Sequence, residues 1–269
     1  MRRLLLITAF AIALHPTTAE PLPQPTPALS IAHAAMRVSD LANSREFYRK
    51  LGFEEAFVLE KNGSPTEVFL KVNDGQFIEL YPRENNSQPS GFMHVCFESS
   101  NLEGLNRLFE KREVPTSPVS RGGVGNLLFS VNFPQQQVIE FTEYMPGSMH
   151  SNDRGKHLGV NRIATHLLGV GIPVNDGAAA ATFYEHQLGF RRGPSLGANE
   201  LTLLLPGASG QMVKIHPSKV TPELTLYFSI SDSQQTASVL RKAHVSVDRN
   251  GSNLTILDPD GNRIVLVKN

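Results

Sequence analysis

Cysteine occurs once in the 269 residues, at Cys96. A single thiol excludes an internal disulfide, so packing must supply the stability. Net charge is also missing, since 25 basic side chains balance 25 acidic ones. That balance gives no electrostatic reason to expect nucleic acid or an acidic membrane as partner. Long apolar runs are absent after the first 14 residues, so nothing later in the chain predicts a membrane span. What remains is an ordinary globular composition, 40% hydrophobic. At about 100–200 residues per domain the length fits one large domain or two small ones.

The N-terminus has the order of features that export requires. Arg2 and Arg3 precede the apolar run Leu4 to Leu14, and Thr17-Thr18-Ala19 offers small residues before Glu20. Residues 1–19 are therefore expected to be a signal peptide that is removed, leaving the protein periplasmic or secreted and with no membrane association. Residues 20–29, with Pro21, Pro23, Pro25 and Pro27, predict an extended tether.

An internal repeat follows. Val38-Ser39-Asp40 leads to Phe47-Tyr48 and Leu51-Gly52-Phe53, and Val174-Asn175-Asp176 leads to Phe183-Tyr184 and Leu188-Gly189-Phe190. Repeated sequence of this kind means a repeated supersecondary unit. In the first copy, Ile31 to Val38 predicts a strand and Asp40 an N-cap. Leu41 to Lys50 predicts a helix, and three strands follow, with Asn62-Gly63 and Asp74-Gly75 turns between them. The same β-α-β-β-β order is expected from Phe92, from about Leu167 and from about Leu224. The fold expected is α+β, with four βαβββ units paired into two curved-sheet, cup-like domains. Their ranges are 30–145 and 166–269, and a polar linker spans 146–165.

Strand parity sorts the side chains, because neighbours on a strand point to opposite faces. On the first strand His33, Ala35 and Arg37 oppose the apolar set Ala32, Ala34, Met36 and Val38. Glu79, with Phe77 and Tyr81, opposes Ile78 and Leu80. In the second unit His94, Cys96 and Glu98 oppose Met93, Val95 and Phe97, while Glu140 opposes Ile139 and Phe141. His33 to Glu79 and His94 to Glu140 are both separations of 46 residues. If the two units curve together, two imidazoles and two carboxylates converge, which is a donor set for one divalent ion. Six-coordination would leave two positions for water or substrate.

These residues resemble the vicinal oxygen chelate superfamily, which includes glyoxalase I, methylmalonyl-CoA epimerase, bleomycin- and fosfomycin-resistance proteins and extradiol dioxygenases. The resemblance rests on His33, Phe47-Tyr48, Leu51-Gly52-Phe53, Ile78-Glu79-Leu80, His94 and Ile139-Glu140-Phe141. Phe183-Tyr184, Leu188-Gly189-Phe190 and Asp258-Pro259-Asp260-Gly261-Asn262 extend it through the second half. It implies a metal (nickel, zinc, cobalt, iron or manganese) held by His33, Glu79, His94 and Glu140. Glutamate at both last-strand positions is most similar to glyoxalase I; extradiol dioxygenases generally use two His and one Glu. In the second half Gly169, Lys214, Thr225 and Val265 fall at the four ligand positions, so that domain is expected to lack the metal.

The resemblance implies a small oxygen-chelating substrate. The leading expectation is an isomerase or lyase working through an enediolate-type intermediate, with Glu140 or Glu79 as base. The alternatives are extradiol ring cleavage and a non-catalytic, resistance-type binding protein. Arg37, Phe77, Tyr81 and Cys96 are the expected pocket residues. Export argues against glutathione and CoA thioesters, which are cytosolic. Four units in one chain complete both cups, so a monomer is expected by default, with a homodimer as the alternative.

Overall fold

The computed structural model describes residues 24–132, 138–194, 200–217 and 223–268, and the expected signal peptide lies outside them. The first half contains β1 (Ser30–Val38), α1 (Leu41–Lys50), β2 (Glu54–Lys61), β3 (Ser64–Asn73), β4 (Gln76–Pro82), β5 (Gly91–Glu98), α2 (Leu102–Lys111), β6 (Ser120–Arg121), β7 (Leu127–Asn132) and β8 (Val138–Glu143). A one-turn helix α3 (Met149–Asn152) follows. The second half contains β9 (His166–Val174), α4 (Gly177–Thr182), a π-helical turn at Phe183–Gln187, β10 (Arg191–Arg192), β11 (Leu201–Leu204), β12 (Met212–Pro217), β13 (Thr225–Ile230), α5 (Ser233–Lys242), β14 (Asp248–Asn250), β15 (Asn253–Leu257) and β16 (Arg263–Lys268).

Local chemistry explains the boundaries. The Asp40 side chain accepts a hydrogen bond from the Asn43 amide and caps α1, and Asp176 and Asp232 cap α4 and α5 in the same way. Asn62 and Gly63 both have positive φ, 54° and 75°, as a tight β2–β3 hairpin needs. The two copies of the Phe-Tyr motif differ by one residue: two residues separate Tyr48 from Leu51, three separate Tyr184 from Leu188. That insertion is absorbed as the π turn, in which Leu188 N–H donates to the Phe183 carbonyl. The buried tyrosine and the following Leu-Gly-Phe thereby keep their places in both units.

The strand orders are β2-β3-β4-β1-β5-β8-β7-β6 and β10-β11-β12-β9-β13-β16-β15-β14, one permutation used twice. At each centre two first strands pair antiparallel, β1 with β5 and β9 with β13, and each is flanked by the parallel last strand of its own unit. Each sheet thus curls around four strands that begin or end a unit, which is the α+β paired-cup fold expected from the repeat. A bulge between Ile31 and His33 shifts the expected parity, so that Ile31 joins Ala34, Met36 and Val38 in the core.

One apolar core runs through both halves, joined by Phe53 against Phe228 and Phe97 against Phe190. Polar links add register between them: the Tyr48 hydroxyl donates to Asp258 at 3.2 Å, and Gln76 exchanges two 2.9 Å hydrogen bonds with the Leu167 backbone. Residues 24–29 of the expected tether are docked rather than free. Leu29 is buried and its amide donates to the Pro206 carbonyl, while Arg112 donates to the Gln24 carbonyl and the Thr26 hydroxyl. Among the described residues no helix is long and apolar enough to cross a membrane.

Candidate metal centre

The four residues singled out by parity and spacing meet in the cup of the first sheet. His33 stands on β1 and His94 on β5, and their Nε2 atoms are 3.1 Å apart. Glu79 on β4 brings Oε2 to 3.3 Å from His33 Nε2 and 3.4 Å from His94 Nε2. Glu140 on β8 brings Oε2 to 3.9 Å and 3.5 Å from the same two atoms. The donor atoms of His33, His94 and Glu140 lie within 4.8 Å of one another. Donors at about 2.1 Å from a common ion and about 90–110° apart are about 3.0–3.4 Å from each other. The separations among His33, His94 and Glu79 fall in that range and Glu140 stands slightly farther out, and two imidazoles with carboxylates are donors that suit a divalent ion.

Burial and charge prepare the donors. Burial pulls the His33 imidazole down to about 4, so it is neutral at pH 7, as a ligand must be. Burial also opposes charge on His94, but Glu79 and Glu140 overcome it and raise its pKa. Burial works against the Glu79 carboxylate, yet the two imidazoles hold its pKa below the usual range. Glu79 is 3% exposed and accepts the Tyr81 hydroxyl at 3.2 Å, whereas the Glu140 side chain is 25% exposed.

His33, Glu79 and Glu140 line a cavity of about 190 Å³. Tyr81 and Cys96 are on its wall. Phe77 is fully buried and packs against His150 at the base of the cup, and is not among the lining residues. Arg37 also lies off the wall: its guanidinium donates to the Pro89 carbonyl at 3.5 Å.

The sequence reading missed Glu67 and His150. Glu67 sits on β3 in the register Glu67, Phe69, Lys71, which the same alternation places on the cup face. Burial and the nearby Glu79 raise its pKa. His150 comes from α3, inside the segment expected to be a plain linker. No periodicity marks it; its place depends on Lys71, fully buried, whose Nζ donates to Asp153 Oδ2 at 2.7 Å and pins that segment across the cup.

In the second sheet the registers place Gly169, Lys214, Thr225 and Val265 where the first has His33, Glu79, His94 and Glu140. Lys214 pairs there with Glu200 at 3.3 Å, beneath the Tyr227 ring.

Residues 30–133 match the model of the Glyoxalase/Bleomycin resistance protein/Dioxygenase superfamily. The chain is similar to homoprotocatechuate 2,3-dioxygenase from Brevibacterium fuscum in complex with 3,4-dihydroxyphenylacetate. The TM-score is 0.67 at 18% identity, covering 92% of this chain and 82% of that one. An extradiol ring-cleaving dioxygenase from B. fuscum, determined at room temperature, gives the same score and identity over 92% and 74%. At that identity the likeness is one of fold. No curated protein matches the chain.

Proposed function

We propose that this protein is a metal-dependent isomerase or lyase that moves a proton α to a carbonyl in a small substrate chelating through neighbouring oxygens. The observation that carries this is the position of Glu79, whose Oε2 stands 3.3 and 3.4 Å from the Nε2 atoms of His33 and His94, beside the group that those two imidazoles form with Glu140. A divalent ion held by His33, Glu79, His94 and Glu140 would supply Lewis-acid polarisation of the substrate oxygens. The two carboxylates divide the remaining work. Glu79 is buried and fixed by Tyr81, so it holds position. Glu140 is the more exposed and lines the cavity, so it is placed to take the proton and return it. Leu59, Phe69 and Leu128 make the apolar walls that limit water around that transfer.

A second reading has one observation of its own. His33, His94 and Glu140 by themselves form a two-histidine, one-carboxylate group, the arrangement suited to non-haem iron and oxygen chemistry, here extradiol ring cleavage. Two assays on metal-loaded protein separate the readings. Incorporation of solvent deuterium α to the carbonyl of small α-hydroxyketones, lost in Glu140→Gln, supports the isomerase. Oxygen uptake on catechols that survives Glu79→Gln overturns it in favour of ring cleavage. We further propose that the protein acts outside the cytoplasm, on the strength of Arg2-Arg3 and the Leu4 to Leu14 run. Detection of the uncleaved chain in the cytosol by N-terminal sequencing would contradict that.

A further inference from the structure

His150 is 3% exposed and lines the cavity, yet its Nε2 has no hydrogen-bond partner among the described residues. Its tautomer follows from the neighbours. The Met145 amide donates to Asn126 Oδ1 at 3.2 Å, so the other end of that side chain, Nδ2, faces His150 Nδ1 at 2.9 Å. An amide nitrogen can only donate, so Nδ1 accepts and the proton of the neutral ring is on Nε2. Burial draws the imidazole down to about 4, which keeps the ring neutral at pH 7. The ring is stacked on Tyr144, with centroids 4.8 Å apart, and Phe57, Phe69 and Phe77 stand edge-to-face around it. These rings offer at best a weak π acceptor. A buried N–H without an oxygen acceptor carries a desolvation cost that a bound acceptor would relieve.

The rest of the wall narrows what that acceptor belongs to. Glu67, Glu79 and Glu140 are acidic, the neutral polar groups include Tyr81, Asn126, Thr142 and Tyr144, and among the described residues that line the cavity none is lysine or arginine. A substrate carrying a carboxylate or phosphate beyond its chelating oxygens would meet carboxylates and no counter-charge.

We propose that His150, supplied by the segment between the domains, is a substrate-binding residue whose Nε2–H donates to an oxygen of the substrate, and that the substrate is uncharged apart from its metal-chelating oxygens. This rests on the metal reading above for the chelating end. It assigns a function to residues 146–153 that a linker does not have, and Lys71 with Asp153 is the latch that holds them in place.

The test uses metal-loaded full-length protein and two chelating probes, benzohydroxamic acid and its 4-carboxy derivative, with affinities measured by calorimetry. Wild type should bind the uncharged probe at least about tenfold more tightly than the carboxylated one, and His150→Phe should weaken the uncharged probe by about tenfold. His150→Gln, which keeps an N–H donor, should recover part of that loss. Equal affinity for the two probes, or a folded His150→Phe with wild-type affinity, overturns the proposal. Nitrogen-15 NMR of the imidazoles in the metal-free protein reads the tautomer independently of any ion. An Nε2–H ring at pH 7 supports the proposal, and an Nδ1–H ring or an imidazolium overturns it even if the protein takes up no metal.

Discussion

Replacing Lys71 with methionine keeps most of the side-chain volume and removes the charge that holds the inter-domain segment on the first cup. The Lys71 side chain is fully buried and Asp153 is 5% exposed; they meet at 2.7 Å, and Nζ also donates to the Asp153 carbonyl. Asp74, at 2.8 Å, is about half exposed and adds little. Breaking a buried pair from one side leaves the other charge uncompensated and costs about 3–5 kcal/mol. His157 at the other oxygen of Asp153 offsets part of this, which points to the lower end. For a chain of this size each kcal/mol moves the melting temperature by about 2–4 °C, so a fall of about 6–15 °C is expected. Thermal melts of Lys71→Met, Asp153→Asn and the double variant form a cycle whose coupling should exceed about 2 kcal/mol. A Lys71→Met protein that melts within about 2 °C of wild type would refute the reasoning.

Other perturbations probe other parts of the account. In metal-free protein, His150 has a folded pKa of about 4 against 6.5 unfolded, so between those values only the unfolded chain binds the proton. Stability is then complete above about pH 6.5 and falls as pH drops towards 4, by up to about 3 kcal/mol. Denaturant titrations should find this slope reduced in His150→Phe. Gly52 has φ of 82°, and an added Cβ would lie 2.6 Å from the Arg162 Cα, whereas Gly63 at 75° has open space. Gly52→Ala should cost at least about 2 kcal/mol and Gly63→Ala about 1 kcal/mol in the same measurement. Cys96 is fully buried and burial pushes its thiol well above the ordinary range. A thiol reagent should therefore label it only after denaturation; rapid labelling of native protein would contradict its placement.

The parts of this molecule that were legible in the sequence are those governed by short periods. Alternation on β1, β4, β5 and β8 separated His33, Glu79, His94 and Glu140 from the apolar sets beside them, and the repeat tied each to an equivalent strand. Asp40 and the Asn62-Gly63 turn announce themselves because caps and tight hairpins demand those side chains. Glu67 was readable by the same alternation and was overlooked. His150 was not readable at all. It lies on a single helical turn in a polar, glycine-containing stretch, and its position is fixed by Lys71 and Asp153, 82 residues apart. Arg37 shares the strand face of His33 by parity, yet its side chain reaches the Pro89 carbonyl and stays off the cavity wall. Long-range ion pairs and sheet curvature leave no local pattern, which is why site geometry beyond the ligand strands required the fold.

The central claim is that one divalent ion is held by two imidazoles and two carboxylates in the first cup. Elemental analysis of protein purified without chelator tests it most directly, on wild type, His33→Ala and Glu79→Gln with folding confirmed for each. The account predicts one transition-metal ion per wild-type chain, none in His33→Ala, and weakened retention in Glu79→Gln. Wild type without metal above background, or His33→Ala retaining a full equivalent, would contradict it.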